Sequence, residues 1–364
     1  MAMSGGIDSS VAAIMLHEEG YEVLGITMKT WDYDSSGSNG KETGCCSLDS
    51  INDARSIAVR HGFPHYILDI RQEFGDAVIN NFVDEYLGGR TPNPCVMCNT
   101  HIKWEALLKR ADMLNCEYIA TGHYAKVRKE GNRHVISRGL DPSKDQSYVL
   151  WGVSQECLSR TIFPVGGFEK STIKQMARDM GLHELANKSE SYEICFIPDN
   201  DYRAFLRHKK PELEETLDGG SFIDRNGNLL GKHRGYPFYT IGQRKGLEVA
   251  VGSALYVTEI RPDSNTVVLG GIEDLQRQSM MVRDVNLVKY EHIVEPMDAL
   301  TKIRYKDPGA MSTITQEGSN MLVDFYSPVK AVSPGQSAVF YEGEDVIGGG
   351  FIEKSLISNA KPGL

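Results

Sequence analysis

The sequence predicts an α/β fold in its first half, a mostly parallel sheet with helices on both faces, followed by a β-rich remainder. Three observations carry this. Between Ser9 and about Leu150, apolar stripes at helical spacing alternate with short apolar runs. A glycine-rich turn stands directly before the first stripe. After roughly Asp218 the chain breaks into short β-like runs divided by Gly, Pro, Asn and Asp, the cadence of small β-barrels.

Taken in order, Val11, Ile14, Met15 and Leu16 stripe a helix that Gly20 stops, and Tyr21–Met28 reads as a buried strand. Ser47 can cap a helix carrying Leu48, Ile51, Ala54, Ile57 and Ala58, closed by Gly62. His65–Ile70 is a strand, and Phe74, Val78 and Phe82 repeat at helical spacing. A helix through Trp104–Leu114 leads into a strand at Glu117–Thr121, and one more helix is expected over Thr172–Gly181. Later runs at Ala254–Ile260, Thr266–Leu269 and Met321–Phe325 are β-like. There is no internal repeat and no low-complexity tract.

At 364 residues the chain exceeds one ordinary domain, so two or three are expected. With 41% hydrophobic and 24% charged residues, and no apolar run of bilayer-spanning length or signal-like start, it reads as a soluble cytoplasmic protein without a membrane partner. Seven cysteines in such a chain point to catalysis, metal binding or burial before a disulfide framework. A net charge of −10 argues mildly against nucleic acid, yet an acidic protein can carry one basic face.

The strongest local signal is Ser4-Gly5-Gly6-Ile7-Asp8-Ser9-Ser10 before a helix. Glycines allow a tight turn that exposes successive N–H groups, the helix N-terminus adds positive partial charge, and the hydroxyls are expected to add donors: an anion cradle. A plain glycine-rich turn before a capped helix is the alternative. No G-x-x-x-x-G-K-S/T occurs, so this is not the usual kinase or GTPase loop. The second signal is Thr91-Pro92-Asn93-Pro94-Cys95-Val96-Met97-Cys98-Asn99. Here two prolines stiffen an extended loop and the cysteines are expected just before a helix beginning near Thr100, which would favour their thiolates. Cys195, in Ile194-Cys195-Phe196, is the third candidate; inert burial of all three is the alternative.

The loop resembles the pyrophosphate loop of the PP-loop ATP pyrophosphatase superfamily, whose members split ATP between its α- and β-phosphates. That superfamily has a full strand before the loop, whereas only Met1, Ala2 and Met3 precede it here; the first strand is a stub or starts upstream. The ordered set Met3–Ser10, Met28-Lys29-Thr30-Trp31-Asp32, Gly89–Pro94, Ile119-Ala120-Thr121-Gly122-His123-Tyr124, Lys144–Tyr148, Ile194-Cys195-Phe196 and Phe238–Gly246 is similar to the tRNA-specific 2-thiouridylase family over nearly the whole chain.

The resemblance implies a PP-loop domain over residues 1–205, a small β-rich central domain over 206–275 and a C-terminal β-barrel over 276–364 that contacts tRNA. It implies ATP, with Mg²⁺, held by Ala2, Met3, Ser4, Gly5, Gly6, Ile7, Asp8, Ser9, Met28 and Gly122. Asn93, Pro94 and Cys95 would face the target base. Cys98 would be the nucleophile and Cys195 the persulfide carrier. His123, Lys144, Asp145, Gln146, Arg304, Tyr305 and Gln336 would meet tRNA. The implied reaction adenylates the C2 oxygen of the wobble uridine (position 34) in the tRNAs for Lys, Glu and Gln, then transfers sulfur, with a Cys98–Cys195 disulfide left behind and a sulfur-donor protein or persulfide relay as partner.

In the best-known members Asp stands where this chain has Cys95. Cys95, Cys98 and Cys195 together could hold an iron–sulfur cluster with one iron open. A different PP-loop tRNA-modifying ligase or a non-catalytic RNA-binding protein are the other readings. Lys232, His233, Arg234, Tyr236, Phe238, Tyr239, Arg244 and Lys245 interleave base and aromatic as an RNA surface would, though a β-hairpin with a charged face reads alike. Lys302, Arg304, Tyr305 and Lys306 are similar. Cys45 and Cys46 are expected to be structural, and Cys116 and Cys157 to be core.

Overall fold

The computed structural model describes residues 1–31, 47–188, 194–197 and 201–356. It divides into two compact units. The first comprises Met1–Ile79, Pro94–Tyr202 and Glu344–Val346, and the second Asn80–Asn93, Arg203–Gly343 and the residues from Ile347 onward.

The first unit is built on a run of short strands. Strand β1 (Gly25–Lys29) pairs in parallel with β2 (His65–Asp69), Gly25 opposite His65 and Lys29 opposite Asp69. On its other side β1 meets Ala2 and Met3: Ala2 bridges Ile26 in parallel, and Met3 N–H donates to the Ile26 carbonyl at 2.8 Å. Ala2 N–H in turn donates to the Ala120 carbonyl at 2.8 Å, reaching β3 (Ile119–Ala120), which is parallel to β6 (Thr161–Ile162). A hairpin of β4 (Ala125–Glu130) and β5 (Arg133–Arg138), turning at Gly131, was not legible in the sequence pattern. Asp345 lies opposite Ser137 of β5 and accepts hydrogen bonds from the Ser137 hydroxyl and the Arg128 guanidinium, both at 2.7 Å.

Helix α1 (Ile7–Glu18) buries Val11, Ala12, Ala13, Ile14 and Leu16. It ends in a two-bond cap, Gly20 N–H to His17 and Tyr21 N–H to Leu16, with Gly20 at φ +93°. That cap explains why the expected strand from Tyr21 begins only at Gly25: the Tyr21 amide belongs to the helix end. Helix α2 (Leu48–His61) is capped by Ser47, whose Oγ accepts the Ser50 N–H, and closed by Gly62 at φ +79°. Ile51, Ala54, Ile57 and Ala58 are buried as expected, but Leu48, at the first helical position, is exposed.

The helix expected near Thr100 begins earlier. Pro94–Met97 is α-helical, with proline at the first position where its missing N–H costs nothing. Cys98–Lys103 is π-helical and α3 (Trp104–Met113) completes the run, so both cysteines lie inside a helix. The spaced Phe74 and Val78 are fully buried on Arg71–Phe74 and the π segment Gly75–Ile79. Helix α4 (Lys170–Asp179) starts two residues before the sequence expectation and ends at Gly181. The helices α1, α2 and α4 share one core around Val11, Ile14, Ala54, Ile57, Ile173 and Ala177.

The second unit starts with helix Asn80–Leu87, on which Phe82 is buried. A four-stranded sheet of β7 (Gly220–Ile223), β8 (Leu229–His233), β9 (Tyr256–Arg261) and β10 (Thr266–Gly270) runs in the order β8-β7-β10-β9 over Phe222, Val257, Val267 and Leu269. Six antiparallel strands then form a barrel: β11 (Gln276–Leu287), β12 (Met297–Lys302), β13 (Ala310–Glu317), β14 (Asn320–Lys330), β15 (Ser337–Glu342) and β16 (Asp345–Leu356). Their order is β11-β14-β13-β12-β15-β16, and β11 pairs β16 to close it. Closure removes free edges, and Met280, Ile314, Val323, Phe340 and Ile352 fill the inside.

Candidate active site

Every residue expected to hold ATP lies in the first unit, at the ends of strands and the start of α1. Gly5 has φ +69°, and a Cβ there would sit 2.0 Å from the Ser50 carbonyl oxygen, so conformation and space both demand glycine. Gly122 packs directly on the start of α1: its Cβ would lie 2.7 Å from the Ser9 amide nitrogen and 2.9 Å from the Asp8 carbonyl carbon. Close backbone packing at Gly5 and at Gly122 thus fixes the loop and the start of α1. Thr27, beside Met28 on β1, donates its hydroxyl to the Met3 carbonyl at 2.8 Å and fixes the chain entering the loop.

Ser9 Oγ and Ser10 Oγ donate to the Gly6 carbonyl at 3.1 and 2.9 Å, and Ser9 Oγ also accepts the Ser4 N–H. These bonds brace the loop from within, and Ser4 Oγ lies 3.2 Å from Ser9 Oγ, where either can donate. Helix α1 has Gly6 at its N-cap and no side-chain cap. Asp8, in its first turn, is held elsewhere. Lys170 Nζ donates to both carboxylate oxygens at 2.6 and 2.7 Å, and Tyr124 OH donates to Oδ1 at 2.7 Å. Lys170 is buried, its Nζ 5.6 Å from the centre of the Tyr124 ring.

The cysteines differ from one another. Cys98 is buried, whereas Cys95 and Cys195 reach the surface, and none of the three is in a disulfide. Close surroundings push the Cys95 thiol up from its ordinary pKa, with Lys103 opposing, so the lowered pKa expected near a helix start is not found there. Cys195 adjoins Phe196, whose ring is fully buried against Phe74 (5.7 Å) and Trp31 (6.2 Å). Among the described residues no three His, Cys, Asp or Glu side chains gather closely enough to hold a metal ion. Cys95, Cys98 and Cys195 thus do not form a ready-made cluster site. Cys157 is core as expected, Cys116 is only half-buried, and Cys45, Cys46 and Asp32 lie outside the described residues.

A parallel strand run, a glycine-held phosphate loop and two downstream β-structures agree with what known proteins show. Residues 1–199 match the family model described as the tRNA methyl transferase HUP domain, 205–271 its PRC-barrel domain, and 277–352 the aminomethyltransferase β-barrel domain. The tRNA-specific 2-thiouridylase MnmA of Cytophaga hutchinsonii is 63% identical over 98% of this chain and 97% of its own length. The chain belongs to the tRNA-specific 2-thiouridylase family. Other family members carrying the same name are 62% identical in Amoebophilus asiaticus (98% of this chain, 95% of that one) and 44% identical in Clostridioides difficile (98% of each).

The residues that the 2-thiouridylase resemblance assigned to base and tRNA are placed as follows. Pro94 is buried and Cys95 exposed at the start of their helix. Asn93 lies in the second unit, where its amide donates to Ser337 Oγ at 3.4 Å. Gln336 donates to the carbonyls of Thr91 (3.2 Å) and Pro92 (2.8 Å), so it shapes the proline loop. Arg304 and Tyr305 are exposed. In the first unit, His123 packs on Trp104 at 5.4 Å with Nδ1 2.8 Å from Thr121 Oγ1, and burial holds its pKa well below the usual histidine range. Gln146 Oε1 accepts the Tyr124 N–H, Asp145 accepts the N–H groups of Gly139 and Ser147, and Lys144 is half-buried. In the basic–aromatic stretch, His233, Tyr236 and Phe238 are buried while Lys232, Arg234, Arg244 and Lys245 are exposed. Tyr236 and Phe238 are core and Tyr239 is half-buried against them, but the stretch is not a hairpin: the strand ends at His233 and Tyr236–Phe238 is a single 3-10 turn.

Sequence reasoning missed Lys170 and the role of Tyr124. Neither has a local signal, since Lys170 stands 162 residues from Asp8.

Proposed function

We propose that the protein uses ATP to place sulfur on C2 of the wobble uridine in the tRNAs for Lys, Glu and Gln. The observation that supports it best is the start of α1: a helix N-terminus without a side-chain cap, its approach fixed by Gly5 and Gly122, in a chain of the 2-thiouridylase family. Residues Ala2 to Ser9, Met28 and Gly122 would hold the nucleotide.

In the first step uridine O2 attacks the α-phosphate, the new O–P bond forms, and diphosphate leaves with the electron pair. Backbone N–H groups fixed at the helix end favour that developing charge. Next, the outer sulfur of a Cys195 persulfide attacks C2 and AMP departs with the former O2. Cys98, as thiolate, attacks Cys195 Sγ; the S–S bond to the transferred sulfur breaks and its pair stays on that sulfur, giving 2-thiouridine and a Cys98–Cys195 disulfide. A dithiol reductant must then restore the thiols, and a sulfur-donor protein must reload Cys195. Asn93, Pro94 and Cys95 would face the unstacked base. His123, Lys144, Asp145, Gln146, Arg304, Tyr305 and Gln336 would meet the tRNA.

Mg²⁺ would travel on the phosphates with its own waters, because Asp8 is engaged by Lys170 and Tyr124 and the described residues gather no metal-holding group. The three cysteines do not fit a cluster as they stand, so no step passes through one. The assignment of residues 1–205, 206–275 and 276–364 to catalytic, central and tRNA-contacting domains, and a cytoplasmic location, complete the reading; no helix among the described residues is long and apolar enough to cross a membrane. The test is to incubate protein with cognate tRNA, labelled ATP and a persulfide donor. AMP, diphosphate and 2-thiouridine are expected, each dependent on tRNA. ADP and phosphate instead would overturn the reading.

A further inference from the structure

An aspartate in the first turn of a helix ordinarily turns back on the free N–H groups of that turn, because both the charge and the hydrogen bonds favour it there. Asp8 stands in that position on α1 and makes no such bond. Its oxygens are taken by Lys170 from α4 and by Tyr124, at 2.6 to 2.7 Å. Lys170 is held in turn: its N–H donates to Asp141 Oδ2 at 3.1 Å, and its side chain is 8% exposed against 29% for Asp8. Burying an ammonium is costly without a partner of opposite charge and good geometry. The pair supplies both, in the phosphate loop itself.

We propose that Lys170 is a positioning residue for ATP binding, which draws the Asp8 carboxylate off the start of α1 and cancels its charge so that the helix N–H groups stay open to the nucleotide's phosphates. Tyr124 assists as the second donor to Oδ1. This rests on the ATP reading above. Without Lys170, Asp8 would swing onto its own helix end and place a negative charge beside incoming phosphates. Both effects act against binding in the same direction.

The test measures ATP affinity without tRNA and in EDTA, so that neither RNA contacts nor a metal role of Asp8 is read. Lys170→Gln is expected to weaken ATP binding about 10- to 100-fold, the size of one unpaired charge near a polyphosphate. The double variant Lys170→Gln, Asp8→Asn is expected to regain most of that loss, which a merely structural lysine would not allow. Wild-type affinity in Lys170→Gln, or no recovery in the double variant, overturns the proposal. If Lys170→Gln fails to fold, Tyr124→Phe replaces it: a few-fold loss is expected in the wild-type background and none in Asp8→Asn, and equal losses in both overturn it. Absence of ATP binding by the wild type would instead strike the proposed function.

Discussion

Replacing Gly122 by alanine tests whether the phosphate loop works by backbone placement. Gly122 needs no unusual φ, so the effect of a methyl group is purely steric. The new Cβ would stand 2.7 Å from Ser9 N, 2.9 Å from Asp8 C and 2.9 Å from Ser9 Cα. All three are backbone atoms, so no side chain can rotate away. Ordinary contact distances are about 3.5 Å, so the start of α1 must retreat by about 0.6 to 0.8 Å. Over-packing of this kind costs about 1 to 3 kcal/mol of stability. The same movement takes amides of the first turn out of the ~2.7 to 3.2 Å range that a phosphate oxygen requires. Losing one hydrogen bond to a charged group is worth about 1.5 to 3 kcal/mol, so ATP affinity should fall about 10- to 150-fold. Isothermal titration with ATP reads this directly, and Gly167→Ala, whose Cβ would meet nothing within 4 Å, is the control. ATP affinity within twofold of wild type in Gly122→Ala would refute the reasoning.

Cys95→Asp should retain thiolation in anaerobic assays without added iron, because the three cysteines are not gathered as metal ligands; strict iron dependence of the wild type would reverse that expectation. Arg304→Ala, at an exposed position of the second unit, should weaken tRNA binding and flatten its salt dependence while leaving ATP binding unchanged, which filter binding across salt concentrations checks. Burial lowers the pKa of His233 to about 4, with Lys232 contributing. The unfolded state, titrating near 6.5, then binds the proton more readily, so this stability is full above pH 6.5 and is lost as pH falls towards 4. Urea melts at pH 7 and pH 4.5 should show the loss, and His233→Gln should shrink the difference between them.

The parts of the fold legible in the sequence were those decided by neighbours along the chain. Ser47 and Gly62 bracket α2 because an N-cap hydroxyl and a left-handed glycine act within four residues. The loop before α1 was readable for the same reason. The β4–β5 hairpin was not, since Lys126, Arg128, Lys129 and Arg133 present no strong apolar alternation. The helix through Cys95 and Cys98 was placed too late because two prolines suggested an extended loop, although the second of them opens the helix. That Ser9 and Ser10 hydroxyls also donate to the Gly6 carbonyl is visible only in the structure, since the turn that brings them together is not encoded in their spacing. The Lys170–Asp8 pair depends on how α4 packs on α1, and no spacing rule spans that distance.

Neither compact unit is a continuous stretch of chain. Arg128 and Ser137 of the first unit find their carboxylate partner at Asp345, and the Thr91–Asn93 loop of the second is tied to Ser333, Gln336 and Ser337. During synthesis, domains generally fold as they leave the ribosome, the N-terminal one first. Here each half waits for residues beyond 330. The proline loop just ahead of Cys95 takes its final hydrogen bonds only once Ser333, Gln336 and Ser337 have been made, about 240 residues later, so a shorter nascent chain has no fastened loop there.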